Sequence, residues 1–259
     1  MSKFSLKTSD ELAIMAEGGK ILNKIKLTLI SAVKPGTTGL ELENLAMKLI
    51  KQAGAEASFA KVPGYKWATC ININDVVVHG IPNATKFKNG DCVGIDVGVY
   101  YKGFHTDTST TVVANPKSHP PAGGPNPNTK KFLDIGKKAL KLAIAQAKPG
   151  KRVADISRAM QTTVEKEGYF VVCALTGHGI GKNLHEQPYI PCFEMGEYTN
   201  SPKLIEGMVL AIEIMYNAGT SDVVYKNDDG WTIATADGKI SGLFEETVAV
   251  TKDGPVVLT

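Results

Sequence analysis

Cysteine is scarce in this chain, and the four residues present (Cys70, Cys92, Cys173 and Cys192) stand far apart with no C-x-x-C pair. That excludes a zinc ribbon and a disulfide framework, and reduced thiols are expected. Net charge is small as well: 29 Lys and Arg against 26 Asp and Glu leave a formal +3. A dedicated nucleic-acid binder needs a far larger basic excess, so no sequence-specific nucleic-acid partner is expected, while the sign still allows weak attraction to a ribosome surface. Long apolar runs are missing. The opening MSKFSLKTSDELAIM has no apolar stretch of signal-peptide length, and no later segment reaches membrane-spanning length, so a cytoplasmic chain with no membrane partner is expected. Nucleophile motifs are missing too. There is no Gly-x-Ser-x-Gly elbow, and no cysteine has a base close by in sequence. Gly177, Gly179 and Gly181 alternate without a Walker lysine-serine ending or dinucleotide-loop spacing. His185-Glu186 does not open a zinc-protease helix, because Pro188 blocks the helix and no second histidine follows at the required spacing.

What is present is a globular composition, 43% hydrophobic over 259 residues, enough to bury one large core. Two helices announce themselves by capping boxes: Thr8 to Glu11 before the stripe Leu12, Met15, Leu22, Ile25, Leu29, and Thr38 to Glu41 before Leu42, Leu45, Ala46, Leu49. Pro35-Gly36 precedes the second helix and Gly54 ends it. The arrangement then returns, with Pro149-Gly150 ahead of Ile156, Ala159, Met160 and Val164, and Gly168 as the stop. In both copies the closing glycine lies 18 residues after the Pro-Gly glycine. A second echo joins Gly90 to Asp96 and Gly207 to Glu213, each with an acid six residues after its glycine in a strand-like run. The chain therefore reads as one duplicated domain over 1–259, with half-repeats at about 1–114 and 129–259. The segment 115–128 between them carries five prolines before Asn128 and reads as an exposed connector.

The acids in those strand-like runs are the chemical signal. An unpaired carboxylate loses its hydration inside apolar surroundings at a cost of several kcal/mol. Asp96 nevertheless sits in Val93-Gly94-Ile95-Asp96-Val97-Gly98-Val99, and alternation places it opposite the valines and Ile95, beside Gly94 and Gly98, whose small size would leave open space around it. An edge-strand Asp facing water is the alternative, and the echo at Glu213, between Ile212 and Ile214, weighs against it. Each acid has another downstream, Asp107 in one half and Glu245 in the other. Four converging carboxylates repel, and a pair of divalent cations, Mn, Fe, Co or Zn, would supply the matching charge. Histidines number only five. His178 is flanked by Gly177 and Gly179, His79 ends an apolar run before a turn, and His185 follows closely. A lone histidine in any of these settings reads as a hydrogen-bonded structural one; three together read as a site. His105 and His119 are read as structural.

Asn74 to Pro82 with His79, Ile95-Asp96-Val97-Gly98 running to Phe104-His105-Thr106-Asp107, Gly177-His178-Gly179-Ile180-Gly181 with His185, Ile212-Glu213 and Phe244-Glu245 together resemble the type I methionine aminopeptidases over nearly the whole chain. Asp229-Gly230-Trp231-Thr232 and Thr251-Lys252-Asp253-Gly254 fit as well, and neither the helical insertion of type II nor a zinc-finger extension is seen. The resemblance implies the pita-bread α/β fold, an internal pseudo-twofold repeat with a curved antiparallel sheet covered by helices. It implies a dinuclear centre in which Asp96 and Asp107 chelate one metal, His178 and Glu213 hold the other, and Asp107 and Glu245 bridge both. It implies a monomer that removes the N-terminal methionine of nascent polypeptides, chiefly before small second residues, by attack of metal-activated water on the first peptide carbonyl. Glu213 would transfer the proton, His79 would contact the scissile amide nitrogen and His185 the carbonyl oxygen, with Phe59, Tyr65, Cys70 and Trp231 around the methionine. Three positions depart from the family pattern: Ile214 replaces a usual proline, Leu243 a usual glutamine and Glu246 a common histidine. Alternation puts Glu246 on the strand face opposite Glu245. The rival readings are a prolidase-like relative of the same fold, a non-enzymatic binding homologue that would have lost ligands where all five are intact here, and a metal phosphohydrolase. The last would need a basic phosphate cluster, for which the glycine-rich segments offer only Lys182.

Overall fold

The computed structural model describes residues 4–115 and 127–259; residues 116–126 of the proline-rich connector, His119 among them, lie outside the described residues. Helices α1 (Ser9–Ala32) and α2 (Gly39–Gln52) begin where the capping boxes put them. The Glu11 N–H donates to Thr8 Oγ1 at 3.3 Å and the Thr8 N–H donates back to the Glu11 carboxylate at 3.0 Å. Thr38 and Glu41 repeat the exchange at 3.2 and 2.7 Å. Each pair satisfies two donors that a helix start leaves orphaned, and losing such a cap costs about 1 kcal/mol. Helix α3 (Pro127–Ile144) follows the connector, and α4 (Val153–Glu165) carries the expected stripe, with Gly168 beyond it in the left-handed region at φ +80°.

The strands of the first half are β1 (Glu56–Ala57), β2 (Thr69–Ile73), β3 (Val76–Val78), β4 (Cys92–Tyr101) and β5 (Phe104–Val113). Those of the second are β6 (Phe170–Val171), β7 (Thr176–Gly179), β8 (Glu186–Pro191), β9 (Val209–Asn217), β10 (Val223–Tyr225), β11 (Ile233–Thr235), β12 (Ser241–Thr251) and β13 (Gly254–Val257). The main sheet runs β1-β4-β5-β12-β9-β7-β8 and is antiparallel throughout, with β2 on β4, β6 on β9 and β13 on β12. At its middle β5 meets β12, with β4 outside one and β9 outside the other. The two echoed segments therefore occupy equivalent places on either side of a central seam. A small sheet, β10-β11-β3, sets the end of β3 beside the start of β11.

Alternation explains which face is dry. Val93, Ile95, Val97 and Val99 are buried against Leu22, Ile25 and Leu29 of α1 and Leu42 and Ala46 of α2. On the other half, Phe132 and Leu140 of α3 and Ile156 and Met160 of α4 pack with Ile212, Ile214, Phe244 and Val248. Helices thus cover one face of the sheet, and the residues between these positions in β4 and β9 point to the other. Ile214 and Leu243, two of the three departures from the family pattern, are buried and leave the β9–β12 register unbroken.

Helix α3 and the sheet approach closely at Gly136. Tyr216 of β9 is fully buried, donates its hydroxyl to the Phe132 carbonyl and stacks on the Phe132 ring with centroids 4.3 Å apart. A Cβ at Gly136 would lie 2.5 Å from Tyr216 Oη and 2.6 Å from the Phe244 ring. Alanine normally improves a helix interior by about 1 kcal/mol over glycine. Here overpacking, typically about 1–3 kcal/mol, opposes that gain. Gly136→Ala is therefore expected to lower Tm in thermal unfolding, by roughly 2–4 °C per kcal/mol of net loss; a raised Tm would show that this contact is slack.

Candidate metal centre

The register brings the acids together. Asp96 lies opposite Ser109, which is on the same face of β5 as Asp107; Glu245 lies opposite Ser109 from the other side; and Glu213 lies directly opposite Glu245. On β7, His178 pairs with Ala211, which shares a face with Glu213. Five strands in order, β4, β5, β12, β9 and β7, thus each present one chelating side chain to the face away from the helices. Ligating atoms of Asp107, His178 and Glu245 all lie within 4.8 Å of one another. Asp96 and Glu213 join them in lining one cavity of about 310 Å³.

Burial makes this face electrostatically expensive. Removal from water pushes the Asp96 carboxyl up to about 7. It also raises Asp107, Glu213 and Glu245 well above the usual carboxylate range, with the Asp96 charge adding to all three and Glu213 adding to Asp107 and Glu245. Asp96 Oδ1 and Glu245 Oε1 are buried without any hydrogen-bond partner among the described residues. Orphaned buried carboxylate oxygens facing one cavity fit a cation, which supplies both the missing charge and the missing contact. The His178 ring fits as well. Its Nδ1 lies 2.9 Å from the Gly179 carbonyl, to which a protonated Nδ1 donates, leaving the Nε2 lone pair for a metal. Burial, then the nearby His185, holds its pKa down to about 3, so the imidazole is neutral. Carboxylates with a neutral imidazole make a donor set suited to first-row divalent ions.

The glycines around these residues do something other than expected. The space over Gly94 and Gly98 is itself filled, and the open space at Asp96 is the cavity it lines: a Cβ at Gly98 would stand 2.8 Å from Ser58 Cβ and 3.0 Å from the Phe59 ring, and one at Gly94 would stand 3.1 Å from Asn72 Cβ. Their missing side chains let the segment 58–59 and β2 close over β4. At Gly177 and Gly179 a Cβ would meet the Ala211 and Gln187 carbonyls at 2.6 and 2.4 Å, so these two admit neighbouring backbone rather than a ligand.

The cavity wall beyond the acids contains every remaining residue picked from the sequence: Phe59, Tyr65, Cys70, His79, His185 and Trp231. Tyr65 donates to the Thr69 carbonyl at 2.8 Å, sits 3.2 Å from Cys70 Sγ and meets Trp231 edge-on at 5.0 Å between centroids. Trp231 is held by Asp229, whose carboxylate accepts from the Trp231 and Thr232 N–H groups at 2.8 and 2.7 Å. Cys70 lies opposite Asp96 in the β2–β4 register; burial and that acid push its thiol up, so it stays protonated and is no nucleophile. Val62, Leu184 and Met215 also line the cavity and carried no sequence signal of their own, being ordinary apolar residues in a chain rich in them. His79 adopts the left-handed region at φ 57°, a conformation worth about 1–2 kcal/mol of strain for a non-glycine residue. It is held there by Gly80, whose N–H donates to Asn72 Oδ1 at 2.9 Å and whose carbonyl accepts from Ile71. The His185 ring stands edge-on to His178, centroids 4.4 Å apart. His105, read as structural, is buried with Nδ1 2.7 Å from Ser58 Oγ.

Comparison with known proteins agrees in kind with this geometry. Residues 13–252 match the model of metallopeptidase family M24. The chain is 40% identical over 253 residues to methionine aminopeptidase 1 of Bacillus subtilis (strain 168), covering 98% of both chains. The crystal structure of methionine aminopeptidase from Thermotoga maritima superposes with a TM-score of 0.92 at 35% identity, covering 99% of each chain. The prolidase from Pyrococcus furiosus shares the fold, with a TM-score of 0.75 at 24% identity, and this chain covers 65% of it. The architecture is accordingly the pita-bread α/β fold, an antiparallel sheet backed by helices.

The carboxyl cluster predicts a pH dependence. A carboxyl whose pKa is raised by folding stabilises the native state while protonated, and that stability is lost as pH rises from its unfolded value towards its folded one. For Asp96 the window runs from 3.8 to about 7. Metal-free protein should show a Tm that falls across this window, and saturating Mn or Co should flatten the trend in the upper part of it. Identical profiles with and without ion would mean that no cation binds the cluster.

Proposed function

This chain belongs to metallopeptidase family M24 and is a metal-dependent aminopeptidase, and from that premise we propose that it removes the N-terminal methionine of nascent polypeptides, acting best when the second residue is small and uncharged. One observation supports this reading above the others: five chelating side chains and a soft aromatic pocket line the same cavity. Tyr65 has its hydroxyl engaged, Cys70 is a neutral thiol, and Phe59 and Trp231 add aromatic rings, a lining suited to a thioether and poor for a charged side chain. The phosphohydrolase reading has no support here, since no Lys or Arg lines the cavity.

Two divalent ions are proposed, Asp96 and Asp107 holding one and His178 and Glu213 the other, with Asp107 and Glu245 shared. When bound, such ions lower the pKa of water into the neutral range and withdraw charge from the substrate carbonyl. The remaining work falls to the chain. The pocket of Phe59, Tyr65, Cys70 and Trp231 seats the methionine so that the first peptide carbonyl faces the acids. Glu213 would take a proton from the water that attacks the carbonyl carbon and deliver it to the amide nitrogen as the C–N bond breaks. His79, a half-buried ring whose pKa is lowered by burial and by His185, hydrogen-bonds that nitrogen as a neutral imidazole. His185 steadies the carbonyl oxygen as charge grows on it. We read residues 1–259 as one catalytic unit of two half-repeats. The proposed setting is a cytoplasmic monomer meeting chains as they leave the ribosome; among the described residues no helix is long and apolar enough to cross a membrane.

Purified protein supplied with Mn, Co or Fe should release methionine from Met-Ala-Ser and leave a Met-Lys peptide largely intact. Absence of release with every metal would overturn the assignment. His79→Ala should reduce kcat by about 10- to 100-fold, the range of one hydrogen bond to a developing charge, with metal content by elemental analysis unchanged. Loss of both ions in that variant would make His79 a ligand instead.

A further inference from the structure

The strands that carry the two ligands proposed as shared, Asp107 on β5 and Glu245 on β12, are far more sparsely paired with each other than β5 is with β4 or β12 with β9. Only Glu245 with Ser109 and Glu246 with Thr108 are in register, against ten pairs between β4 and β5 and nine between β9 and β12. Threonine side chains make up the difference. The Thr247 hydroxyl donates to the Asp107 carbonyl at 2.7 Å and accepts the Asp107 N–H at 2.9 Å. The Thr111 hydroxyl does the same for Leu243, at 3.0 Å in each direction. A hydroxyl that both donates and accepts can stand between two backbones where a direct ladder bond is not made.

On the face opposite the cavity, this stitched seam is closed by a charged cluster built around Glu246, the residue standing where the family has a common histidine. Lys26, on the buried stripe of α1 with Leu22, Ile25 and Leu29, donates to both Glu246 carboxylate oxygens at 2.8 and 2.9 Å and to Thr108 Oγ1 at 2.9 Å. Thr108 Oγ1 lies within reach of the Glu245 carbonyl at 2.9 Å and of Glu246 Oε2 at 3.0 Å, and its single proton serves one of them at a time. The backbone N–H of the same Thr108 donates to Asp107 Oδ1 at 2.9 Å. Thr259 completes the set, donating to Glu246 Oε2 at 2.7 Å and accepting the Thr247 N–H at 2.9 Å.

We propose that Lys26, Glu246 and Thr108 are positioning residues for the metal centre, a charged clamp on the back of the seam that sets the distance between Asp107 and Glu245. Every link touches one of the two shared ligands or its immediate neighbour: Thr108 fixes the Asp107 carboxylate through its N–H and the Glu245 backbone through its hydroxyl, and Lys26 with Glu246 fixes Thr108. Groups that hold metal ligands in place typically carry 10- to 100-fold of metal affinity or activity without touching the metal. The inference rests on the dinuclear reading above. It also accounts for a lysine and a glutamate in places where apolar packing alone would favour neither.

The test uses Co(II) binding by the full chain, read by titration calorimetry and by the visible absorption of the bound ion, which reports ligand geometry, alongside Tm of the metal-free protein and separate kcat and KM. Lys26→Met and Glu246→Gln should weaken Co(II) binding by about 10-fold or more, change the absorption bands and lower kcat with little change in KM. Lys26→Arg, which keeps charge and donors, should recover most of this. Thr108→Val, close to isosteric, removes only the hydroxyl and serves if the charge variants fail to fold. Variants that bind Co(II) with wild-type affinity and spectrum while showing a lowered Tm would reduce the cluster to an anchor for α1 and overturn the proposal. Failure of the wild-type chain to bind Co(II) would instead strike the dinuclear reading itself.

Discussion

Four carboxylates on one buried sheet face repel one another, and the rest of the structure answers to that fact. Each is raised above its usual range by loss of water, and Asp107, Glu213 and Glu245 further by their neighbours. Two of their oxygens have no partner among the described residues. A fold that holds such a cluster in place without a bound cation does so against electrostatics. The opposing contribution comes from the apolar faces of β4 and β9, where Val93, Ile95, Val97, Val99, Ile212 and Ile214 pack beneath four helices. The hydrophobic face fixes the sheet, and the sheet holds the acids together.

Precision at the centre depends on how the halves are joined. β4 with β5 and β9 with β12 are each paired along their length while β5 and β12 are paired thinly, and Asp107 and Glu245 sit on that thin seam. Hydroxyl groups on one side of the sheet and a lysine-glutamate pair on the other replace the missing ladder. Glycines play the matching part around the periphery, where their lack of a Cβ lets Ser58, Phe59 and neighbouring carbonyls close against the strands that bear Asp96 and His178. The resulting cavity is lined by Phe59, Tyr65, Cys70 and Trp231 beyond the acids.

The division of labour among the histidines follows from their backbones. His178 is locked by the Gly179 carbonyl into a tautomer fit for a ligand. His79 is held in a strained left-handed turn by Gly80 and Asn72, which aims its ring into the cavity. His105, two residues from Asp107, is buried against Ser58 and does not line the cavity. Chemical type alone does not separate these roles, since all three carry the same ring.

The chain's own order of residues determined the helix starts at Thr8 and Thr38, the internal echo of Asp96 in Glu213, and the presence of acids inside apolar strands, because capping, periodicity and burial cost are local properties. The four acids and His178 were legible as a candidate metal site from their apolar or glycine-flanked settings. How they would divide between two ions, and which residues would line the pocket, came from resemblance, and their common cavity is a result of strand register, which no local pattern encodes. Open space at Asp96 was expected from Gly94 and Gly98; the cavity provides it, while Ser58, Phe59 and Asn72 fill the space over the glycines, which only the fold discloses. Glu246 was legible only as facing away from Glu245. Its partner Lys26 lies 220 residues distant in sequence, and only the packing of α1 on β4 and β5 puts an ammonium group against that carboxylate.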